Sequence, residues 1–148
     1  MLPAAQTLSF SESLISGELR GDDAVQAIAA ITDKVEWSLE AGGISFDALK
    51  VMTGRTIGTT GTTPNQKNTL TIAAGDNMPY FKVYGKVIND DGSDTHCLLH
   101  KCKLTGGLEG EFAEGEFYVQ SCEGVAISNG TKIAEFVHNE TATTVPAS

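Results

Sequence analysis

The chain is short of most features that mark a specialised chemistry. Proline is scarce, at 4 residues in 148 against 16 glycines, and with abundant Thr and Ser that mix suits turns and strands better than a helical bundle. No apolar run approaches the roughly 18 residues that a membrane-crossing helix needs. Cations are few: 10 Lys and Arg stand against 19 Asp and Glu, for a net charge of −9. That balance leaves no basic footprint for phosphate-driven binding of DNA or RNA. Cysteine is limited to Cys97, Cys102 and Cys122, an odd set that reads as reduced, mostly buried thiols. The opening Met1-Leu2-Pro3-Ala4-Ala5 has no basic residue ahead of an apolar stretch and does not read as a secretory signal. P-loop, dinucleotide fingerprint, HExxH and GxSxG patterns are all missing.

What is present favours strands. Hydrophobic residues make up 41% of the chain, enough for one domain with a core, and glycine is abundant at 16 residues. Leu8 and Phe10 alternate with Ser9 and Ser11, predicting a strand over 7–16. Gly21-Asp22-Asp23 reads as a turn. Ala24–Ile31 fits either a helix capped by Asp23 or the returning strand of a hairpin, and the flanking strands favour the hairpin. Val35, Trp37, Leu39 and Ala41 alternate with polar residues, which places Trp37 on the core face of a strand. Ser45 caps a short helix, Phe46 to Met52, closed near Gly54, with Phe46, Leu49 and Met52 on one side.

Residues 54–68 are polar and rich in Gly and Thr, and read as a flexible loop, with a short strand after it at Leu70 and Ile72. Tyr80–Ile88 and Thr95–Leu104 form a hairpin about Asn89–Ser93. Within Glu111–Gln120, Phe112 falls out of phase with Phe117 and Val119, which predicts a bulge or bend at Gly115. Asn129-Gly130 signals a turn before a last strand, Lys132–Val137, and residues 139–148 read as a frayed tail. The whole reads as one mainly β domain. The predicted form is an antiparallel sandwich or partly open barrel, with long hairpins and a short flanking helix.

Candidate chemistry concentrates in one strand. His96, Cys97, His100 and Cys102 invite a zinc site. On a straight strand His96, His100 and Cys102 share a face but spread over about 20 Å, too far for one ion, and Cys97 points away. A Cys–His nucleophilic pair lacks a convergent third group. Glu109, Glu111, Glu114, Glu116 and Glu123 are either paired carboxylates or, far more commonly, a solvated face. No catalytic or metal residues emerge. An acidic chain with long hairpins and a polar loop suits pairing with copies of itself.

Four passages together resemble the major tail tube proteins of long-tailed bacteriophages and related prophages. They are Val35-Glu36-Trp37-Ser38-Leu39-Glu40-Ala41-Gly42-Gly43-Ile44-Ser45 running into Phe46-Asp47-Ala48-Leu49, then Gly61-Thr62-Thr63-Pro64-Asn65-Gln66, then Pro79-Tyr80-Phe81-Lys82-Val83-Tyr84-Gly85-Lys86, and finally Cys102-Lys103-Leu104 with Gly110-Glu111-Phe112 and Glu116-Phe117. The resemblance spans most of residues 7–138 and rests on their order and spacing. It implies a structural virion protein, made in the bacterial host cytoplasm and placed in the virion tail. It implies stacked rings, usually hexameric, in which hairpins join into a barrel around a channel. DNA passes through without specific binding, beside a tape measure protein and under a tail terminator. No cofactor, metal, catalytic role or membrane partner is implied. Carried onto this chain, the barrel hairpin is Tyr80–Leu104, with Tyr80, Lys82, Tyr84, Lys86, His100 and Cys102. Glu111, Glu114 and Glu116 are the lumen-facing candidates. Thr59, Thr60, Gly61, Thr62, Thr63, Pro64 and Asn65 form the contact to the next ring. Lys82, Lys86, Lys101 and Lys103 run against an acidic lumen in that hairpin and call for outward orientation or pairing with Glu. The alternatives are a tail terminator or completion protein that stops at one ring, and a carbohydrate- or receptor-binding sandwich with Tyr80, Tyr84 and Tyr118 as its aromatic platform.

Overall fold

The computed structural model describes residues 6–22, 24–113 and 116–145, with the side chains of Gln6 and residues 112–120 left aside. Its order is β1 Gln6–Gly21, β2 Ala24–Ala41, α1 Phe46–Thr53, β3 Ile57–Thr60, β4 Lys67–Leu70, β5 Phe81–Ile88, β6 Asp94–Leu104, β7 Glu109–Ala113, β8 Glu116–Ala126 and β9 Ala134–Asn139. Seven strands form one antiparallel sheet along β1-β2-β8-β6-β5, with β7 added to β8 and β9 added to β6. The mainly β, antiparallel expectation with a short helix therefore holds, and the sheet does not close into a barrel. Its ends still come together. A Cβ on Gly85 of β5 would stand 3.3 Å from Leu8 Cδ2 of β1, and the Phe10 ring lies 4.8 Å from that of Phe136 on β9. Side chains, not a hydrogen-bonded ladder, bridge that gap.

The core fills the space so enclosed. Val35, Trp37 and Leu39 of β2 meet Phe81, Leu99, Cys102 and Leu104 of the β5–β6 hairpin, Cys122 and Ala126 of β8, and Leu49 and Met52 of α1. Trp37 meets Phe81 edge to face at 5.8 Å and 84°, the arrangement that ring quadrupoles favour. Trp37 packs against Gly124: a Cβ there would come within 2.7 Å of the indole and closer still to the Lys103 carbonyl. That crossing point admits only glycine.

Local signals set most element ends. Ser45 Oγ accepts from the Ala48 amide at 3.3 Å, and Gly54, at φ 67°, closes α1 by donating to Lys50 O at 2.9 Å. Leu49 and Met52 are buried as expected, while Phe46 is exposed: the first helical residue projects past the core, toward β3–β4. Ala24–Ile31 is strand, paired with β1 from Gly21↔Ala24 to Ile15↔Ile31. A long cross-strand ladder overrides the helical propensity of its alanines.

Four expectations are corrected. Residues 54–68 are not a loop throughout, because Ile57–Thr60 pairs with Lys67–Leu70 as a separate two-stranded sheet. β-Branched Ile57, Thr59 and Thr60 supply the strand preference that the polar composition hides. Ile72 lies outside that strand, which ends at Leu70. Glu111–Gln120 is not one bent strand: Phe112 and Phe117 are cross-strand partners in a β7–β8 hairpin, and a reversal of the chain accounts for their phase. The tail is not frayed over its described part, 139–145, and residues 146–148 lie outside the described residues. Asn139 ends β9, and Thr143 N donates to Asp94 at 2.7 Å.

Candidate interaction surfaces

The His and Cys residues of β6 are separated by a bulge. Phe81 faces Cys102 and Val83 faces Leu99, so β6 carries one residue more than β5 across this step, and Lys101 takes a φ of 37°. The extra residue flips the alternation. Cys97, Leu99, Cys102 and Leu104 all join the core, so Cys102 does not share a face with His96 as a straight strand would dictate. Burial pushes the Cys97 thiol up, the Cys102 thiol up to about 12 and the Cys122 thiol up to about 11. Such thiols stay protonated and are poor nucleophiles and metal ligands at neutral pH. Each of the two histidines binds a different carboxylate: His96 Nε2 lies 2.9 Å from Asp94 and His100 Nε2 lies 2.9 Å from Glu135. Among the described residues, no three His, Cys, Asp or Glu side chains converge as a metal site.

Asp94 is wholly buried and acts as a clasp. Burial, the largest influence, would raise its pKa. Hydrogen bonds from Asn139, the Thr143 amide, His96 and Lys86 reverse that effect and hold the carboxyl far below the usual range. Lys86 Nζ stands 3.1 Å from Asp94 and also donates to the Thr143 carbonyl. Residues 139–143 are thereby fastened over the outer side of the β5–β6 hairpin. Lys86 is consumed by this clasp. Lys82 is exposed, Tyr84 is half-buried, and Tyr80, just ahead of β5, is exposed with Lys101 and Lys103 about 5 Å from its ring. His100 and Cys102 are buried.

A different face gathers the acidic side chains. Register pairs Ser11 with Glu36 and Val125, Ser9 with Ser38 and Glu123, and Thr7 with Glu40 and Ser121. All lie opposite the buried Trp37, Leu39 and Cys122. Glu109 of β7 continues the face, accepting from Ser121 Oγ at 3.4 Å, and exposed Glu111 follows on the same side of β7. The face holds an open hollow of about 390 Å³ between Ser9, Ser11, Glu36 and Glu123. Lys34, 3.0 Å from Glu36, stands at one end as a counter-charge. Of the expected lumen residues, Glu111 is thus placed on this face. Glu116 sits opposite Ala113 in the ladder with its side chain outside the described set, and Glu114 lies outside the described residues. Glu36, Glu40 and Glu123 were missed by sequence reasoning as a cluster. The alternation around Trp37 already turned Glu36 and Glu40 outward, but only the β2–β8 register brings Glu123 beside them.

Thr59 and Thr60 close strand β3 and Gly61–Asn65 form its exposed connection to β4, with a cis Thr63–Pro64 bond and the Asn65 amide donating to Thr62 O at 2.7 Å. Between this hairpin and α1 lies a polar cleft of about 360 Å³ lined by Phe46, Asp47, Lys50, Ile57, Thr59 and Asn68. The contact residues named from the sequence therefore sit together at one projecting tip.

Beyond Val35 the β1–β2 hairpin leaves the body. Among the described residues, 24–34 of β2 pair with β1 alone, and Leu14, Ile15, Leu19, Val25, Ile28 and Ile31 are all exposed there. Among the described residues no helix is long and apolar enough to cross a membrane. The chain matches no family model, and no curated protein matches it.

Proposed function

We propose that this chain is a structural subunit that assembles with copies of itself into stacked rings. On this reading the rings form a hollow tail tube through which DNA passes. The observation that carries the reading is the outer face of β1, β2, β8 and β7. It is continuous, antiparallel, and set with Ser9, Ser11, Glu36, Ser38, Glu40 and Glu123. Among the described residues, β1 and β7 each keep one unpaired edge, so neighbouring subunits can extend the sheet around a ring. Facing a channel, the carboxylates would repel phosphates and let DNA slide without sticking.

We assign the channel to this face in preference to the β5–β6 hairpin. The outer side of that hairpin is strapped by residues 139–143, and its His100 and Cys102 are buried. The β3–β4 tip, Thr59–Asn65, is the contact to the next ring. A tape measure protein and a tail terminator are the remaining partners, the assembled chain belongs in the virion tail, and no catalytic step or cofactor is required.

Negative-stain electron microscopy of the concentrated protein tests the reading. Hollow tubes with a regular axial repeat are expected, and deletion of Thr59–Thr63 is expected to leave folded subunits that no longer form long tubes. Lone wild-type rings would favour a terminator. A wild-type chain that stays monomeric at every concentration overturns the reading. Within tubes, Glu36→Lys with Glu40→Lys and Glu123→Lys is expected to convert a surface that ignores DNA into one that retains it at low salt.

A further inference from the structure

The two ends of the β5–β6 hairpin carry opposite charge. Among the described residues, Arg20, Lys34, Arg55, Lys86 and Lys132 are committed to ion pairs within the chain, which leaves five of the ten cations without a carboxylate partner. Three of those five, Lys82, Lys101 and Lys103, gather at the base of the hairpin. The bulge turns Lys101 onto Tyr80, with Nζ 5.0 Å from the ring centroid, and Lys103 Nζ stands 5.1 Å from the same ring. Lys103 also donates to Asn77 Oδ1 at 3.3 Å, a neutral acceptor. Lys82, opposite the bulge, is exposed. The two ammonium groups on Tyr80 are no more than about 10 Å apart, about one Debye length at 0.1 M salt, so they repel. The other end of the hairpin, the Asn89–Ser93 turn, is acidic. Asp90 and Asp91 are exposed, and Ser93 fixes Asp91 by donating to its Oδ1 from the amide at 2.9 Å and the hydroxyl at 2.5 Å. Glu140 is exposed on the adjoining strap, which the Ala142 amide ties to the Gly92 carbonyl at 3.0 Å.

We infer that the Asp90-Asp91 turn of one subunit docks on the Tyr80, Lys101 and Lys103 cluster of a second copy, head to tail. The inference rests on the self-assembly reading and names a charged contact for it beside the β3–β4 tip. Charge, placement and rigidity select a second copy as the occupant. On a chain of net charge −9, three uncommitted lysines together are a local exception that an acidic turn fits, whereas nucleic acid would bring many phosphates to meet three cations and a repelling surface around them. β5 separates the two ends by eight residues, about 26 Å at about 3.3 Å per residue, so the cluster and the turn cannot meet within one chain. Each subunit carries one of each, and satisfying both takes a neighbour at either end. Such heterologous contacts propagate into open stacks or closed rings. Both sides are preorganised. Ser93 holds Asp91 and the Tyr80 ring holds both ammonium groups, so little side-chain freedom is lost on contact. Exposed Ile88 ends β5 next to the turn, and the exposed Tyr80 ring offers it an apolar surface. Charge pairs of this kind fix register and speed encounter more than they add affinity.

The test uses the full chain at matched concentrations, read by sedimentation velocity and electron microscopy, with Trp37 fluorescence reporting the fold. Lys101→Glu with Lys103→Glu reverses the cluster. Asp90→Lys with Asp91→Asn reverses the turn and keeps an acceptor for Ser93. Lys101→Gln with Lys103→Gln replaces the first variant if reversal disturbs the fold. Wild type is expected to assemble, and to do so less as salt rises from about 0.05 to about 0.5 M. Each variant alone is expected to associate at least tenfold more weakly. An equal mixture of the two reversed variants is expected to recover assembly, because every cluster then meets a turn of opposite charge. A cluster variant that assembles like wild type overturns the docking inference and leaves the self-assembly reading standing. A mixture that does not recover overturns the pairing of these two ends. A short DNA duplex held by wild type at about 0.15 M salt, and released by Lys101→Gln with Lys103→Gln, assigns the cluster to nucleic acid and also overturns the inference. A wild-type chain that never associates overturns the inference together with the reading beneath it.

Discussion

The two halves of the β1–β2 hairpin share strands, ladder and alternation, yet only one is part of a folded body. Near the base, Leu8 and Phe10 face Leu39 and Trp37, and β8 continues the sheet from Val35↔Ala126 to Glu40↔Ser121. Leu39 and Trp37 are buried there. Past Val35 the same alternation delivers Leu14, Ile28 and Ile31 to solvent. Apolar character is similar in both halves. The difference is the third strand and the opposing β5–β6 hairpin, which turn a pleated ribbon into one wall of a core. Strand pairing alone therefore does not define the domain, and the place where β8 stops divides what stabilises the subunit from what is left for a partner.

The sharpest way to test that division is to remove matched apolar groups on either side of it. Leu39→Ala is expected to cost about 2–5 kcal/mol, since it opens a cavity beside Trp37 in a packed core. Urea unfolding followed by Trp37 fluorescence measures it. Gly124→Ala comes next. Its Cβ would collide with both the Lys103 carbonyl and the indole, and overpacking of this kind costs about 1–3 kcal/mol. A stability loss confined to Leu39→Ala, with Gly124→Ala neutral, would mean that β8 can shift relative to Trp37 and that the base is less tightly built than described.

Sequence alternation made the base half legible. Val35, Trp37 and Leu39 declare a buried face, and Ser45 and Gly54 declare the helix ends, because each signal is local. Non-local pairings were hidden. Nothing in Glu111–Gln120 distinguishes a bent strand from a hairpin until Phe112 is found opposite Phe117. The bulge at Lys101 reversed the placement of Cys102, since a single inserted residue changes the face of all that follows. The clasp on Asp94 joins residues 45 and 49 positions apart in the chain. The acidic face was half visible: Glu36 and Glu40 could be oriented from their own strand, whereas Glu123 and Glu109 needed the register.

Asp94 provides a smaller effect at the opposite end of the sheet, where a polar clasp takes the place of apolar packing. Its folded pKa lies far below the ordinary 3.8, so the folded state binds fewer protons than the unfolded state around that pH. The stabilisation is fully present above about pH 3.8 and is lost as pH falls further toward the folded value. Asp94→Asn is expected to release residues 139–143 to limited proteolysis at neutral pH. The stability difference from wild type should be level from pH 7 down to about 4 and narrow only in stronger acid. A gap that already narrows between pH 7 and 5 would show that the Asp94 carboxyl is not held below its ordinary range and would overturn the clasp.

The smallest expected effect carries the most information about the projecting half of the hairpin. Ile28 is 68% exposed and pairs with Glu18 of its own hairpin. Ile28→Ser should therefore leave the unfolding midpoint of the dilute monomer within about 0.5 kcal/mol of wild type, as exposed positions generally do. The same substitution in the base half would remove a core residue. If the dilute monomer instead lost more than about 1 kcal/mol, Ile28 would have to be buried in the free subunit. The projecting half would then fold back on its own body, and the contrast between the two halves of the hairpin would disappear. A neutral result in the monomer, joined to weaker assembly at high concentration, would show that this residue acts between subunits and not within one.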